Sequence, residues 1–111
     1  MPTETLHKIV LARLDDMKAE DIVTIDLTAK SSIADRMVVA TGRSQRHVGA
    51  VADEIVKDLK KAGVPNVRVE GMKQSDWVLI DAGDVIVHVF RAEVRDFYGL
   101  EKMWKGTARS T

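Results

Sequence analysis

The residues best placed to do chemistry are those of the turn Thr41-Gly42-Arg43-Ser44-Gln45-Arg46-His47. A glycine turn that opens a helix offers free backbone N–H groups and a favourable dipole to an anion. Arg43, Arg46 and His47 would add positive charge. The glycine repetition of a P-loop or a dinucleotide fingerprint is missing, however, and Ser44 is a good N-cap in its own right. Two readings stand: an ordinary capped helix start with exposed basic residues, and a contact with RNA phosphate. A nucleotidyltransferase would hold magnesium with carboxylates beside such a turn. No closely spaced aspartate pair follows Gly42-Arg43-Ser44, and Asp81 and Asp84 flank a turn where aspartate is favoured for turn chemistry alone.

Other chemistries fare no better. The three histidines are scattered, with no helical pair at the spacing of metal ligands. There is no cysteine and no nucleophile-elbow serine. His88 beside Asp81 resembles a base and its orienter, but both would lie on a flat strand face with no evident pocket. The chain therefore reads as a binding protein and not an enzyme, with no catalytic, cofactor-binding or metal-binding residues.

The stretch that organises the rest runs from Asp76 to Trp104. Trp77–Ile80 and Val85–Phe90 are rich in β-branched and aromatic residues, which suit a pleated surface, and Gly83 between them can supply the positive φ of a tight turn. A β-hairpin is expected. With Ala82 and Gly83 as its loop, Ile80 would face Val85, Val78 would face Val87 and Trp77 would face His88. Side chains alternate along a strand, so Val78, Ile80, Val85, Val87 and Val89 share a core face. Trp77, Leu79, Asp81, Ile86, His88 and Phe90 share the other. That second face mixes apolar anchors with charge, as protein-binding surfaces commonly do. It could equally be covered by helices, with His88 a satisfied internal histidine.

The elements around the hairpin follow from periodicity. Leu6, Ile9, Val10, Leu14 and Met17 form a helical stripe capped near Thr3 and ending near Lys18, and His7 falls off it as a surface residue. Ile22–Leu27 and Met37–Thr41 read as strands, joined by the polar segment Thr28–Asp35. Asp26, in the first of them, would need a donor if even half-buried. Val48, Val51, Ala52, Ile55, Val56, Leu59 and Ala62 form a second helical stripe, closed by Lys60, Lys61, Gly63 and Pro65. Val67–Glu70 is a short strand, Ala92–Tyr98 a helical turn or two, and Leu100, Met103 and Trp104 a short amphipathic segment. The order αββαβββα gives an α/β (α+β) single domain, a mixed sheet of about five strands with flanking helices. Residues 1–104 form the domain and 105–111 a polar tail.

Composition limits the partners. A chain of 111 residues is enough for one domain with its own core. Lysine plus arginine equals aspartate plus glutamate at 17 each, so net charge gives no general pull toward nucleic acid, and DNA is not expected as a partner. No run is apolar enough for a membrane span and no signal-peptide pattern opens the chain, which leads to the expectation of a cytoplasmic protein without a membrane partner. The charge is unevenly spread. Between Asp76 and Glu101, the six acids Asp76, Asp81, Asp84, Glu93, Asp96 and Glu101 stand against Arg91 and Arg95, which should attract a basic partner.

Three blocks carry a family resemblance: Trp77–Asp81, Gly83–Phe90 and Arg95–Trp104. With Asp21-Ile22-Val23 and Asp26, Ser31–Asp35, Thr41-Gly42 and Arg46-His47-Val48, they resemble the ribosomal silencing factors, also called Iojap-like proteins, from about Leu6 to Trp104. The resemblance implies a fold like that of nucleotidyltransferases without their catalytic carboxylates, and no cofactor. It implies binding to the large ribosomal subunit through ribosomal protein uL-fourteen at the joining face. There the family obstructs the small subunit and represses translation, particularly under nutrient limitation, while organellar relatives act in large-subunit assembly. It also implies a homodimer when free. The length, without a transit-like extension, favours the bacterial role. Alternatives are an assembly factor, a nucleotide-binding protein using the Gly42–His47 turn, and a minor ribosomal RNA contact. The expected partner-binding platform is Trp77, Leu79, Asp81, Ile86, His88 and Phe90, extended by Tyr98, Glu101 and Lys102. Arg95 would either join the interface or hold Asp81 or Asp84 in place.

Overall fold

A computed structural model describes residues 2–28 and 34–98, the last three by backbone alone. The elements, in chain order, are α1 (Thr3–Asp16), β1 (Glu20–Asp26), β2 (Arg36–Gly42), α2 (Gln45–Lys61), β3 (Arg68–Glu70), β4 (Trp77–Asp81), β5 (Val85–Arg91) and α3 (Ala92–Tyr98). This is the expected αββαβββα order. The strands form one mixed sheet, β1-β2-β5-β4-β3, in which only β2 and β5 run parallel. The segment Leu100–Trp104 lies outside the described residues.

Two apolar layers hold this sheet. On one side α1 and α2 bring Leu6, Val10, Leu14, Val48, Val51, Ala52, Ile55 and Leu59 against Val38, Ala40, Val78, Ile80, Val85, Val87 and Val89. Each aliphatic side chain removed from water in this way contributes roughly 1.5–3 kcal/mol before entropy is counted. On the other side a smaller cluster joins Ile25, Leu27, Ala34, Met37, Val39 and Phe90, with Val94 of α3 packed against it. Central strand β2 is thus buried on both faces, as a strand with a parallel neighbour usually is.

The hairpin register differs from the expected one. Val78 pairs with Val89, Ile80 with Val87 and Trp77 with Phe90. Gly83 and Asp84 form the loop, closed by Ala82 N–H donating to the Val85 carbonyl at 3.0 Å. The cause is the turn itself. Tight hairpin turns need a positive φ at their first central residue. Gly83 provides it at +90°, whereas an Ala82-Gly83 loop would force alanine there. The pairing moves by two positions, so every side chain keeps its expected face.

The α1 cap expected at Thr3 or a neighbour is Pro2, and Thr3 Oγ1 donates to Asp35 Oδ2 at 2.6 Å. His7 is not a surface residue. Its Nδ1 accepts from Arg36 at 2.7 Å and its Nε2 lies 2.8 Å from Thr24 Oγ1, so it bridges α1 to the first two strands. Asp26 is exposed and finds its donors locally, in the N–H and hydroxyl of Thr28. Strand β1 begins two residues earlier than expected and carries an irregularity between Glu20 and Val23, where Asp21 has φ +48°.

Gly71 opens the loop before β4 with φ +91°, and a Cβ there would lie 2.2 Å from the Trp77 carbonyl oxygen. Gly83 has the same φ but open space around it. Gly71→Ala should therefore destabilise the fold by about 2–3 kcal/mol or more, and Gly83→Ala by about 1–2 kcal/mol. Urea unfolding of both variants checks this order, and equal losses would show that the Trp77 carbonyl yields freely.

Candidate partner-binding face

The second hairpin face is built by alternation. β4 directs Trp77, Leu79 and Asp81 to it, and β5 directs Ile86, His88 and Phe90. Position in the sheet then decides how much of each is seen. β5 lies between β2 and β4 with Val94 of α3 above it, so Phe90 is 0% and His88 9% exposed. β4 has only the three-residue β3 beyond it, and Trp77, Leu79 and Asp81 remain half-buried, as does Ile86 near the turn. The expected platform is corrected accordingly. Phe90 has no surface to offer, and His88 almost none; both form the floor. The Tyr98 side chain, Glu101 and Lys102 lie outside the described residues.

The floor fixes the indole. Trp77 Nε1 donates to His88 Nδ1 at 2.9 Å. The Trp77 and Phe90 ring centroids are 4.8 Å apart at 60°, an edge-to-face arrangement, and His88 stacks on Phe90 at 5.8 Å. Because Nδ1 accepts, the neutral ring carries its proton on Nε2. Burial pushes the His88 pKa down to about 4. Asp81 does not orient His88: its Oδ1 accepts from Gly83 N–H at 2.8 Å and so holds the turn.

At the Trp77 end of this face an ion cluster joins three elements. Asp76 Oδ1 accepts from Gln45 Nε2 at 2.9 Å and from Arg91 Nε at 2.7 Å, and Arg91 also pairs with Glu93 at 3.0 Å. The hydrogen bonds from Gln45 and Arg91 hold the Asp76 carboxyl below its ordinary range. Asp81 and Asp84, by contrast, pair with no cation among the described residues. Arg95 holds neither of them. It is buried at the opposite end of β5, where its guanidinium donates to the Asp21 carbonyl and to Thr41 Oγ1, both at 2.6 Å. Local sequence carries no signal for these pairs, whose members stand 54 and 74 residues apart.

The Gly42–His47 turn takes the capped-helix form. Ser44 Oγ accepts from His47 N–H at 3.0 Å, and His47 Nδ1 accepts from Arg43 N–H at 3.0 Å while its Nε2 reaches the Met17 carbonyl at 2.8 Å. Two N–H groups that an anion would seek are thus engaged. A Cβ on Gly42 would sit 2.5 Å from Val48 Cγ2, so that glycine serves close strand–helix packing. Among the described residues no group of three or more histidines, cysteines or carboxylates could hold a metal ion, and no helix is long and apolar enough to cross a membrane.

The His88 ring predicts a pH dependence. In the folded protein it stays neutral down to about pH 4, while in the unfolded chain it protonates near the ordinary 6.5. The unfolded state therefore binds the extra proton between these values. Its stabilising contribution is complete above pH 6.5 and lost as pH falls towards 4, by roughly 3 kcal/mol. His88 ring resonances should be unchanged from pH 7 to pH 5, and titration near 6.5 would show the ring to be open to water.

The family model described as "Ribosomal silencing factor during starvation" matches residues 1–111. The ribosomal silencing factor RsfS of Zymomonas mobilis is 52% identical over 101 residues, covering 91% of this chain and 76% of that protein. An X-ray structure of a protein from Chromobacterium violaceum superposes with a TM-score of 0.90 at 42% identity, covering 95% of this chain and 88% of that one. More distant is the Mus musculus protein named mitochondrial assembly of ribosomal large subunit protein 1, 32% identical over 99 residues, with 86% of this chain and 43% of that protein covered. The match along the whole chain leads to one assignment: the chain belongs to the ribosomal silencing factor family.

Proposed function

We propose that this protein binds the large ribosomal subunit through ribosomal protein uL-fourteen at the joining face, blocks association with the small subunit and so represses translation. The role is one of occupancy and not of turnover. The observation that carries the reading is the hairpin face. Trp77, Leu79 and Ile86 stand half-exposed over a floor of His88 and Phe90, beside the carboxylates Asp81 and Asp84, which form no ion pair among the described residues. An aromatic anchor held in one orientation loses little freedom on binding, and flanking negative charge suits a basic ribosomal protein. The family resemblance further leads us to expect a cytoplasmic protein that is a homodimer when free. A second reading, a factor in large-subunit assembly, draws its support from the name of the mouse relative.

Co-sedimentation with isolated large subunits, followed by addition of small subunits, tests both readings. Binding with joining blocked supports silencing; binding with joining intact supports assembly. Trp77→Ala should remain folded and bind ~30- to 1000-fold more weakly, the cost of truncating a central aromatic anchor. Arg43→Ala with Arg46→Ala should bind nearly as the parent does. Undiminished binding by folded Trp77→Ala would remove Trp77 from the interface. Loss of binding in the double arginine variant would make ribosomal RNA the principal contact.

A further inference from the structure

Beside Trp77, where β4 begins, a recess of about 280 Å³ opens between the Gly71–Asp76 loop and α3, lined by Gly71, Gln74, Asp76, Trp77 and Val94. Its described walls combine an indole, a carboxylate, a side-chain amide, the peptide of Gly71 and the apolar Val94. Asp76 is the informative member. Gln45 and Arg91 both bond to its Oδ1, which leaves Oδ2 without a hydrogen-bond partner among the described residues. Those same bonds keep the carboxyl ionised. Among the described residues, Asp76 and Glu93 against Arg91 leave this corner with an excess of one negative charge; Lys73 and Glu70, exposed on either side of Gly71 and outside the lining, offset one another.

An anion is disfavoured by the carboxylate, and an apolar side chain would desolvate Asp76 and Gln74 without replacing their bonds. A cation satisfies both walls. A planar guanidinium suits them better than an ammonium, because it stacks on an aromatic face while its N–H fork bonds a carboxylate. The recess is continuous with the half-exposed row Trp77, Leu79 and Asp81, so a partner lying on that row would bring side chains to its mouth.

We infer that this recess is a subsite for an arginine side chain of the ribosomal protein partner, with Trp77 stacking on the guanidinium and Asp76 accepting its N–H groups. The inference rests on the subunit-binding reading above and adds the chemistry recognised at one end of the same face.

Two variants isolate it. Asp76→Asn keeps an oxygen for Gln45 and Arg91 and replaces the other with an amide N–H group that opposes a guanidinium. Gln74→Lys sets a cation at an exposed lining position. Each should weaken large-subunit co-sedimentation roughly tenfold while leaving urea unfolding close to that of the parent. In solution, N-acetyl-arginine methylamide at millimolar concentration should shift the Trp77 indole and Val94 resonances of the parent protein in a saturable way. The neutral citrulline analogue should not, and Asp76→Asn should abolish the response. Parent-like binding by both variants, or equal shifts with arginine and citrulline, overturns the subsite. Those results together with weak binding by Trp77→Ala would leave the platform reading intact; parent-like binding by Trp77→Ala would remove the platform and the subsite together.

Discussion

The parallel pairing of β2 with β5 is the constraint on which the rest of the molecule depends. Parallel neighbours cannot be joined by a tight turn, so everything between them, α2, β3 and β4, must return the chain to the same end of the sheet. The register runs without interruption from Arg36 opposite Val85 to Gly42 opposite Arg91. Two strands locked together at the centre must be covered above and below, and the fold provides a thick layer of two helices on one side and a thin layer around α3 on the other. The thin side is where a binding face can survive.

That asymmetry sorts residues that look equivalent. Trp77 and Phe90 are aromatic, face the same way and pair across the hairpin, yet one is half-exposed and the other has no accessible surface. The difference comes from neighbours on the far side of each strand. A central strand supplies a rigid floor, and the strand next to the edge carries the half-exposed side chains. His88 belongs to the floor and acts through its ring nitrogen on the indole above it. Binding surfaces that are supported in this way keep a large aromatic group from collapsing back onto the domain.

The elements themselves were legible because their signals are local. The α2 stripe from Val48 to Leu59 and the alternation of Val85, Val87 and Val89 each report one buried face, and both faces are buried as expected. The six-residue hairpin face was likewise found by counting in twos. What could not be read locally was depth. That Phe90 and His88 lie underneath depends on β2, more than forty positions away in the chain, becoming their neighbour. Arg95 was visible as a charge in an acidic region, but its partners Asp21 and Thr41 come from the other end of the sheet. The turn was misplaced by its φ requirement, which composition around Gly83 satisfied in two ways and stereochemistry in only one. His47 reads in the sequence as one of three groups that could draw an anion to the turn, yet its two ring nitrogens are spent on the Arg43 N–H and the Met17 carbonyl.

The irregular start of β1 has a consequence for how this protein can meet others. An open sheet ends in rows of unpaired backbone groups that invite another strand to add on. Here one border is the three-residue β3, and the other is interrupted at Asp21, whose left-handed φ bends the chain and whose carbonyl is claimed by the inward-pointing Arg95. Both margins therefore discourage growth of the sheet through its backbone. Recognition through side chains on a broad sheet face is selective, unlike edge-to-edge pairing, which accepts almost any extended peptide and leads to aggregation.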